Sequence, residues 1–418
     1  MQRIAMVSVH TGPLATLGGK ETGGMNVYIR DLSRALSRKG IDVDVYTRLQ
    51  DPTIAPIDKR LAERGRVFYV KAGPERPYNK NEIYHHIDEF VENVLALQQS
   101  YDIIYSHYWL SGIASGALRH YWQIPYVQMF HTLAELKNRV AQSPAERDTL
   151  QRLNCEGEIM RSADRIIAAT PLDRNHMMWA YGAPSNKIEV VPPGVDLERF
   201  KPIDRQAAKA CIDVPAHHKM ILFVGRMQPL KGIDTILRAL AIAKQREPEL
   251  LKNVCLSIVG GDPNQDSELE MKEFERLKDL RESLNIGDLV TFLGAKDQDK
   301  LVYYYTAAEM VVMPSHYESF GMVAIEAMAC GTPVIASDVG GLSFSIEDGF
   351  NGFLVPGRDA TALAGKVILL LKHSILRDQL GEQARQWVQR YSWDNIADEL
   401  LSVFEDTVEE YQRIKALQ

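Results

Sequence analysis

The feature that most constrains the fold is an alternation of short apolar runs with amphipathic helical segments. It begins near residue 4 and restarts near residue 220, after the hinge-like segment Pro192-Pro193-Gly194. Such alternation is typical of parallel sheets with helices on both faces. A chain of 418 residues is long for one core and suits two domains of ordinary size. The sequence therefore predicts an α/β protein with two doubly wound, Rossmann-like domains.

The two series define the predicted elements and the domain boundaries. In the first series the predicted strands are 4–9, 43–47, 66–71, 103–106, 125–130, 166–169 and 188–191, and the helices are 25–39, 81–99 and 112–121. In the second series the strands are 220–224, 255–259, 290–293, 310–315, 334–336 and 351–355, and the helices are 233–245, 268–284, 300–308, 320–330 and a helical region over 360–390. The predicted domains are 1–193 and 194–392, followed by a helical segment, 393–418.

Composition narrows the class of protein. The net charge of −7 argues against nucleic acid as the main partner. No apolar run is long enough to span a bilayer, and the N-terminus lacks the cleavage region of a signal peptide. The four cysteines are scattered without metal-type spacing, which favours reduced, structural thiols. We therefore expect a cytoplasmic protein without a membrane span, and a homodimer is left open.

Two glutamates flank a predicted helix start after the buried strand 310–315. Glu318 lies in the loop that follows the strand, and Glu326 lies near the second turn of the helix 320–330. At a rise of about 1.5 Å per residue, their carboxylates are about 10 Å apart along one side. That separation suits the sugar and the ribose of one nucleotide-sugar, with the first-turn N–H groups facing the diphosphate. Taken alone, the pattern fits equally well a capping glutamate followed by a solvated one.

Two cations follow the first strand of the second series. Arg226 and Lys231 come after strand 220–224, where a doubly wound sheet binds its ligands. Arginine offers a planar fork to phosphate oxygens, and lysine offers a compact point charge. The pair therefore indicates a phosphate site, and the alternative is two surface cations.

A glycine-rich loop and a histidine add weaker signals in the first series. The loop Gly18-Gly19-Lys20-Glu21-Thr22-Gly23-Gly24 lies between the first strand and its helix, where glycines let a ligand approach the backbone. It matches neither the dinucleotide fingerprint nor the P-loop, and alone it fits a simple turn. His131 follows strand 125–130. A single strand-end histidine is more often structural, and the same holds for His107.

Together these motifs resemble the Glu-x7-Glu signature and its neighbours in glycosyltransferase family 4, the retaining transferases of the GT-B fold. The resemblance runs from residue 4 to about residue 393. Within the family the chain resembles the D-inositol-3-phosphate glycosyltransferases, which begin mycothiol synthesis, and more distantly the sucrose-phosphate synthases. The resemblance implies two Rossmann-like domains facing across a cleft, with segment 393–418 crossing back to the first domain.

The resemblance also implies the substrates and their binding residues. A UDP-sugar is the expected co-substrate, with no cofactor and no metal, and Asp42-Val43-Asp44 opens a strand rather than forming a metal pair. The implied donor-binding positions are Gly23, Gly24, Arg226, Lys231, Glu318, Phe320, Gly321, Met322, Val323 and Glu326. The implied catalytic positions are His131, Arg226, Lys231 and Glu318, in a front-face reaction whose leaving phosphate takes the acceptor proton.

The implied acceptor positions are Asn26, Lys80, Tyr108, Thr132 and Arg152. Two cations and two hydroxyls suit a phosphate dianion, which accepts charge-assisted hydrogen bonds. A lipid or neutral acceptor would leave the cations unpaired, at a cost in desolvation. We therefore expect a small phosphorylated polyol or sugar, with inositol phosphate ahead of fructose 6-phosphate. The donor sugar, UDP-GlcNAc or UDP-glucose, is left open.

Other functions stay open. The nearest are glucosyl transfer to fructose 6-phosphate, as in sucrose-phosphate synthase, and a family 4 transferase with a non-phosphorylated glycan or lipid acceptor. A nucleotide-sugar epimerase fits less well, because the Glu318 and Glu326 pair suits transferases better. A non-catalytic binding protein fits least, because every implied donor position is filled.

Overall fold

The computed structural model describes residues 1–15, 23–141, 143–261 and 268–417. The described chain forms two units. The first contains the described residues up to Gly194 together with those from Trp393 onward, and the second contains Val195–Ser392. Each unit is built on its own sheet.

The first unit is built on an eight-stranded sheet in the order β3-β4-β2-β1-β5-β6-β7-β8. All neighbouring strands are parallel except β3, which runs antiparallel to β4 at the sheet edge. Apolar residues fill the central strands, as expected where helices cover both faces. The strands are β1 (Arg3–Val7), β2 (Asp42–Arg48), β3 (Ile57–Ala62), β4 (Gly65–Val70), β5 (Ile103–His107), β6 (Tyr126–Met129), β7 (Arg165–Ala168) and β8 (Ile188–Val190).

The helices of the first unit alternate with these strands. They are α1 (Gly24–Arg38), α2 (Lys80–Ile83), α3 (Ile87–Leu95), α4 (Trp109–Trp122), α5 (Ala134–Val140), α6 (Leu150–Ser162) and α7 (Pro171–Tyr181). The single helix predicted over 81–99 is wrong in detail, because a 3₁₀ turn at Tyr84–His86 separates α2 from α3. That turn consists of aromatic residues and histidines, which are weaker helix formers.

The last helix belongs to the first unit. Its partner is α1, where Arg38 pairs with Asp394 and Lys39 with Asp398, both at 2.7 Å. These two surface ion pairs lie beside an aromatic contact, in which Trp393 meets Tyr28 edge-on with ring centroids 5.2 Å apart. The buried ring supplies the larger part of the stabilisation, because exposed ion pairs contribute little.

The second unit is a six-stranded, wholly parallel sheet in the order β11-β10-β9-β12-β13-β14. This is the strand order of the Rossmann fold, so the predicted α/β class with two doubly wound sheets is confirmed. The strands are β9 (Lys219–Val224), β10 (Val254–Val259), β11 (Val290–Gly294), β12 (Ala308–Met313), β13 (Val334–Ser337) and β14 (Gly352–Val355).

Helices connect the parallel strands of the second unit, because such strands need a crossover. They are α8 (Arg205–Cys211), α9 (Ile233–Arg246), α10 (Pro248–Leu251), α11 (Glu268–Ser283), α12 (Gln298–Ala307), α13 (Met322–Ala329), α14 (Leu342–Ser345), α15 (Ala360–Lys372) and α16 (Ser374–Val388), and the chain's last helix is α17 (Trp393–Leu417). Within the described ranges, none of the helices of either unit is long and apolar enough to cross a membrane.

Candidate active site

Lys231 and Glu318 follow two adjacent strands at the topological switch point of the second unit. From β9 the sheet grows in one direction through β10, and β12 lies on the other side of β9. Lys231 ends the 3₁₀ turn Pro229–Lys231 after β9, and Glu318 lies in the loop after β12. The carboxyl ends of strands at such a point form the ligand-binding crevice of this fold.

The two side chains form an ion pair. Nζ of Lys231 lies 2.6 Å from Oε2 of Glu318, and both side chains are about four-fifths buried. The loops that carry them are joined by a hydrogen bond from the His316 N–H to the Leu230 carbonyl at 2.8 Å. Gly232 makes this approach feasible, because its φ is +64° and a Cβ there would lie 2.1 Å from the Pro314 carbonyl oxygen. The predicted phosphate cation and the predicted sugar-binding carboxylate therefore occupy one compact site.

A pair of glycines after β13 holds the Glu318 backbone. The Gly341 N–H donates to the Glu318 carbonyl at 2.8 Å. A Cβ on Gly340 would lie 2.0 Å from the same carbonyl oxygen, and Gly340 has a left-handed backbone with φ +52°. Sequence reasoning missed both residues. The Gly-Gly pair two residues after a buried strand is the signal that marks a close backbone approach.

Four predicted donor positions form the start of α13. Gly321 has φ +90° and precedes the helix, and Met322 and Val323 occupy its first turn. First-turn N–H groups have no partner inside a helix and favour anions. Phe320 is buried with its ring against Tyr391, at a centroid distance of 5.6 Å.

The other two donor positions of this unit differ in burial. Arg226 is exposed in the loop after β9. Glu326 is buried and accepts hydrogen bonds from the Tyr305 hydroxyl at 2.7 Å and from Nε2 of Gln298 at 3.4 Å. Burial and the neighbouring Glu326 carboxylate raise the pKa of Tyr305 well above its ordinary value, so Tyr305 is a hydrogen-bond donor here. Glu326 is thus oriented by two partners from α12.

In the first unit the glycine-rich loop is described only in part. Residues 18–22 lie outside the described ranges, whereas Gly23 and Gly24 lead into α1. Asn26 is buried, and its Oδ1 accepts from the Gly23 N–H at 2.9 Å. Its Nδ2 donates to Thr11 Oγ1 and to the Gly12 carbonyl, both at 2.6 Å. The Asn26 side chain therefore joins the start of α1 to the segment that follows β1.

Three predicted acceptor residues meet around the Arg152 guanidinium. Arg152 is only 1% exposed, and Nη2 donates to the Thr132 carbonyl at 2.7 Å and to its Oγ1 at 3.1 Å. Nε donates to Glu156 at 2.7 Å. The Tyr108 ring centroid lies 4.6 Å from the guanidinium carbon of Arg152 and 4.5 Å from the His10 ring centroid. The structure thus brings Tyr108, Thr132 and Arg152 together, with Arg152 already well paired.

Two charged residues that sequence reasoning missed complete this cluster. Lys137 on α5 and Asp148 before α6 form an ion pair at 2.8 Å, and Asp148 also lies 3.0 Å from Nη1 of Arg152. Lys80, another predicted acceptor residue, is near enough to interact electrostatically with both. Lys137 lies on the helix that follows Thr132, and no sequence signal singled it out.

His131 contacts His107, which sequence reasoning treated as structural. Nδ1 of His107 and Nε2 of His131 are 3.1 Å apart, and His131 has a left-handed backbone with φ +61°. The Tyr28 ring meets both imidazoles edge-on, at centroid distances of 5.7 and 5.1 Å. Within the part of the chain that the structure describes, Nε2 of His107 is buried without a hydrogen-bond partner. A charged ring would need an acceptor there, so the two histidines are a neutral pair.

Comparison with known proteins decides the family. The model of the Glycosyltransferase Family 4 domain matches residues 22–199, and the model of Glycosyl transferases group 1 matches residues 204–387. A D-inositol 3-phosphate glycosyltransferase from Acidothermus cellulolyticus is 39% identical over 98% of this chain and 91% of its own length. The chain belongs to glycosyltransferase family 4.

Further relatives of this glycosyltransferase support the same family membership. A D-inositol 3-phosphate glycosyltransferase from Saccharomonospora viridis is 38% identical over 97% of the chain and 94% of the relative. Among solved structures, the sucrose-phosphate synthase of Thermosynechococcus elongatus superposes with a TM-score of 0.88 at 34% identity, covering 100% of both chains. The predicted family and enzyme class are therefore confirmed, and the relatives include both of the subfamilies that the sequence resembles.

The histidine pair makes the stability of this glycosyltransferase depend on pH. Burial lowers the pKa of His131 to about 3, and burial with the neighbouring His131 lowers that of His107 well below its ordinary value. Both rings have a pKa of about 6.5 in the unfolded chain. Between about pH 6.5 and pH 3 the unfolded chain therefore binds more protons, and the unfolding free energy falls as the pH falls. We expect His131→Asn, which tolerates the left-handed backbone, to reduce this slope by about one proton.

Urea unfolding of the wild type and of His131→Asn at several values between pH 5 and pH 8 measures the slope. His217→Asn is the control, because His217 is exposed in the second unit. Identical pH slopes for wild type and His131→Asn would contradict the neutral pair.

Proposed function

We propose that this glycosyltransferase moves a hexosyl group from a UDP-sugar to a small phosphorylated polyol or sugar, with retention of configuration and without a metal ion. Inositol phosphate is the first candidate acceptor. The single observation that carries the proposal is the convergence of Arg152, Lys137 and Lys80 beside Thr132 and Tyr108 in the first unit.

The donor part of the proposal rests on the second unit. Lys231, with Arg226 from the same loop, provides positive charge for the diphosphate, and the first turn of α13 provides N–H groups. Glu318 binds hydroxyls of the sugar and Glu326 binds those of the ribose. Glu318 must exchange its Lys231 contact for sugar hydroxyls when the diphosphate takes the lysine. The two roles are therefore coupled through one ion pair.

The chemistry follows from this charge distribution. The bond between the sugar C1 and the leaving phosphate oxygen breaks, and a bond from C1 to the acceptor oxygen forms on the same face. The acceptor proton passes to the leaving phosphate oxygen, whose negative charge Arg226 and Lys231 stabilise. His131 contributes through its fixed position and not as a proton carrier, because its ring is neutral and paired with His107. Two cations supply the charge that a metal ion would otherwise provide, which is the basis for proposing metal independence.

The acceptor part rests on the three cations of the first unit. A phosphate monoester carries close to two negative charges at neutral pH and accepts several charge-assisted hydrogen bonds. The names of the relatives from Acidothermus and Saccharomonospora support inositol phosphate as the acceptor. The likeness to the Thermosynechococcus sucrose-phosphate synthase supports fructose 6-phosphate as the second candidate.

The donor assignment predicts that substitution of Glu326 weakens UDP binding, whereas substitution of Glu318 does not. Glu326→Ala, or the isosteric Glu326→Gln, is expected to weaken UDP by about 2–3 kcal/mol, because ribose hydroxyls lose a charged acceptor. Glu318→Ala is expected to weaken the UDP-sugar but not UDP, because it frees Lys231 for the diphosphate. Calorimetric titration with UDP and UDP-sugar measures both, and Glu382→Ala on the exposed face of α16 is the control. Unchanged UDP affinity in both Glu326 variants would refute the ribose assignment.

The acceptor assignment predicts that removing one of the cations weakens the binding of the acceptor and leaves the binding of UDP unchanged. Lys80→Ala and Lys137→Ala are each expected to raise the KM for inositol phosphate at least about tenfold, the effect of losing one charged hydrogen bond. UDP affinity should stay unchanged, and Lys71→Ala is the control because Lys71 is an exposed lysine of the same unit. Arg152 is a poorer probe, because its removal leaves Glu156 buried beside no cation among its described contacts.

Steady-state kinetics with inositol phosphate and with inositol complete this test. The wild type should discriminate strongly in favour of the phosphorylated acceptor. Equal transfer to the dephosphorylated acceptor would show that the cation cluster is not a phosphate site.

A further inference from the structure

Asp148 lies where the proposed acceptor phosphate would meet its cations. Its Oδ2 atom is 2.8 Å from Nζ of Lys137 and 3.0 Å from Nη1 of Arg152. Lys80 interacts electrostatically with the same carboxylate. Burial alone would raise the pKa of Asp148, but Arg152 and Lys137 outweigh it and hold the pKa below its ordinary value. Asp148 is therefore a charged carboxylate in contact with two of the three cations.

The one guanidinium nitrogen of Arg152 that has no other hydrogen-bond partner in the described structure, Nη1, also lies beside Asp148. Nε is used by Glu156 and Nη2 by Thr132. Nη1 is left for a further anion, and Asp148 is the anion that it touches. The contact is close but poorly aligned, since Nη1 is buried without a hydrogen-bond partner within the described ranges. A buried donor with that geometry is ready for an oxygen that approaches along its N–H direction.

The backbone of Asp148 is held by hydrogen bonds that do not involve its carboxylate. The Asp148 N–H donates to Oδ1 of Asn138 at 2.7 Å, and Nδ2 of Asn138 donates to the Asp148 carbonyl at 3.3 Å. These bonds tie the residue to α5. The carboxylate stands on a single methylene group, so a change of rotamer withdraws it from both cations without moving the backbone.

We propose that Asp148 is an internal competitor for the acceptor phosphate, a carboxylate that the phosphate displaces from Lys137 and Arg152 when the acceptor binds. The inference rests on the proposed function, because it presupposes an acceptor that carries a phosphate group. It makes Asp148 a specificity-determining residue of that function.

The charges of the cluster favour a phosphate that replaces Asp148 over a phosphate that binds beside it. Three cations, Lys80, Lys137 and Arg152, face the two carboxylates of Asp148 and Glu156, which leaves one net positive charge. A phosphate dianion in the place of Asp148 makes the cluster neutral. The same dianion beside an unmoved Asp148 would set like charges against each other.

The competition sets a threshold for binding. An acceptor without a phosphate group has nothing to offer the cations in place of Asp148. A weakly bound monoanion gains no net charge interaction by the exchange. A phosphate dianion brings a second negative charge and more acceptor oxygens, so it displaces Asp148 from the cations. Asp148 keeps the buried cations paired and limits access to ligands that carry a phosphate.

Calorimetric titration of inorganic phosphate into the full-length protein saturated with UDP tests the proposal. UDP occupies the proposed diphosphate site, so the titration reports the acceptor site. Asp148→Asn is expected to bind phosphate about tenfold more tightly than the wild type, and the KM for inositol phosphate is expected to fall in parallel.

Glu135→Gln is the matched control. It removes one negative charge from α5, the helix of Lys137, but the ion pair of its carboxylate in the described part of the chain is with Arg139, at 3.1 Å. Its phosphate affinity should equal that of the wild type. Asp148→Ala provides the same test without any polar group, should the asparagine variant fail to fold.

Equal or weaker phosphate binding in folded Asp148→Asn or Asp148→Ala, with binding retained in the wild type, would show that Asp148 only holds the cations in place and would overturn the proposal. No phosphate binding by the wild type or by either variant, with unchanged inositol phosphate kinetics in Lys137→Ala, would overturn the proposed acceptor site and this inference with it. The two failures are therefore distinguishable.

Discussion

The candidate site depends on the pairing of buried cations with carboxylates of the same chain. Removing an ion from water costs on the order of several kcal/mol unless a partner compensates the charge. In the second unit Glu318 compensates Lys231 at 2.6 Å, and in the first unit Asp148 and Glu156 compensate Lys137 and Arg152. These pairs allow a strand-end turn and two helices to carry positive charge in buried positions. In the proposed function they also set the negative charge that a substrate must carry in order to bind.

The same pairs connect structure to chemistry. In the proposed function, a diphosphate that takes Lys231 would free Glu318 for the sugar, and a phosphate monoester that takes Lys137 would displace Asp148. Binding is then an exchange of anions between fixed cations, and the fixed positions limit the reorganisation needed for the reaction. Backbone constraints hold those positions: Gly232 and Gly340 accept close approaches that no side chain would permit. The neutral pair of His107 and His131 is held by its own hydrogen bond and adds no charge.

Much of this could be predicted from the sequence, and the remainder has a physical explanation. Positions after predicted strands indicated Lys231, Glu318 and Thr132, because short apolar runs reveal where buried strands lie. The edge strand β3 was missed, because three of its six residues are charged and its sequence matches no buried strand. The pairing of Lys231 with Glu318, 87 residues apart, depends on which strands are adjacent. Lys137 and Asp148 lie on a helix and in a loop, where charged residues are ordinarily solvated, so only the tertiary arrangement shows their role.

The most direct test of the function is a matrix of donors and acceptors assayed with the wild-type protein in the presence of EDTA. UDP-GlcNAc, UDP-glucose and GDP-mannose would each be offered with inositol phosphate, fructose 6-phosphate, and the dephosphorylated form of each acceptor. The result expected is transfer from a UDP-sugar to a phosphorylated acceptor only, with the anomeric configuration of the donor kept in the product. Transfer that requires added magnesium or manganese, or that proceeds equally well to inositol or fructose, would contradict a site in which fixed cations recognise both substrates.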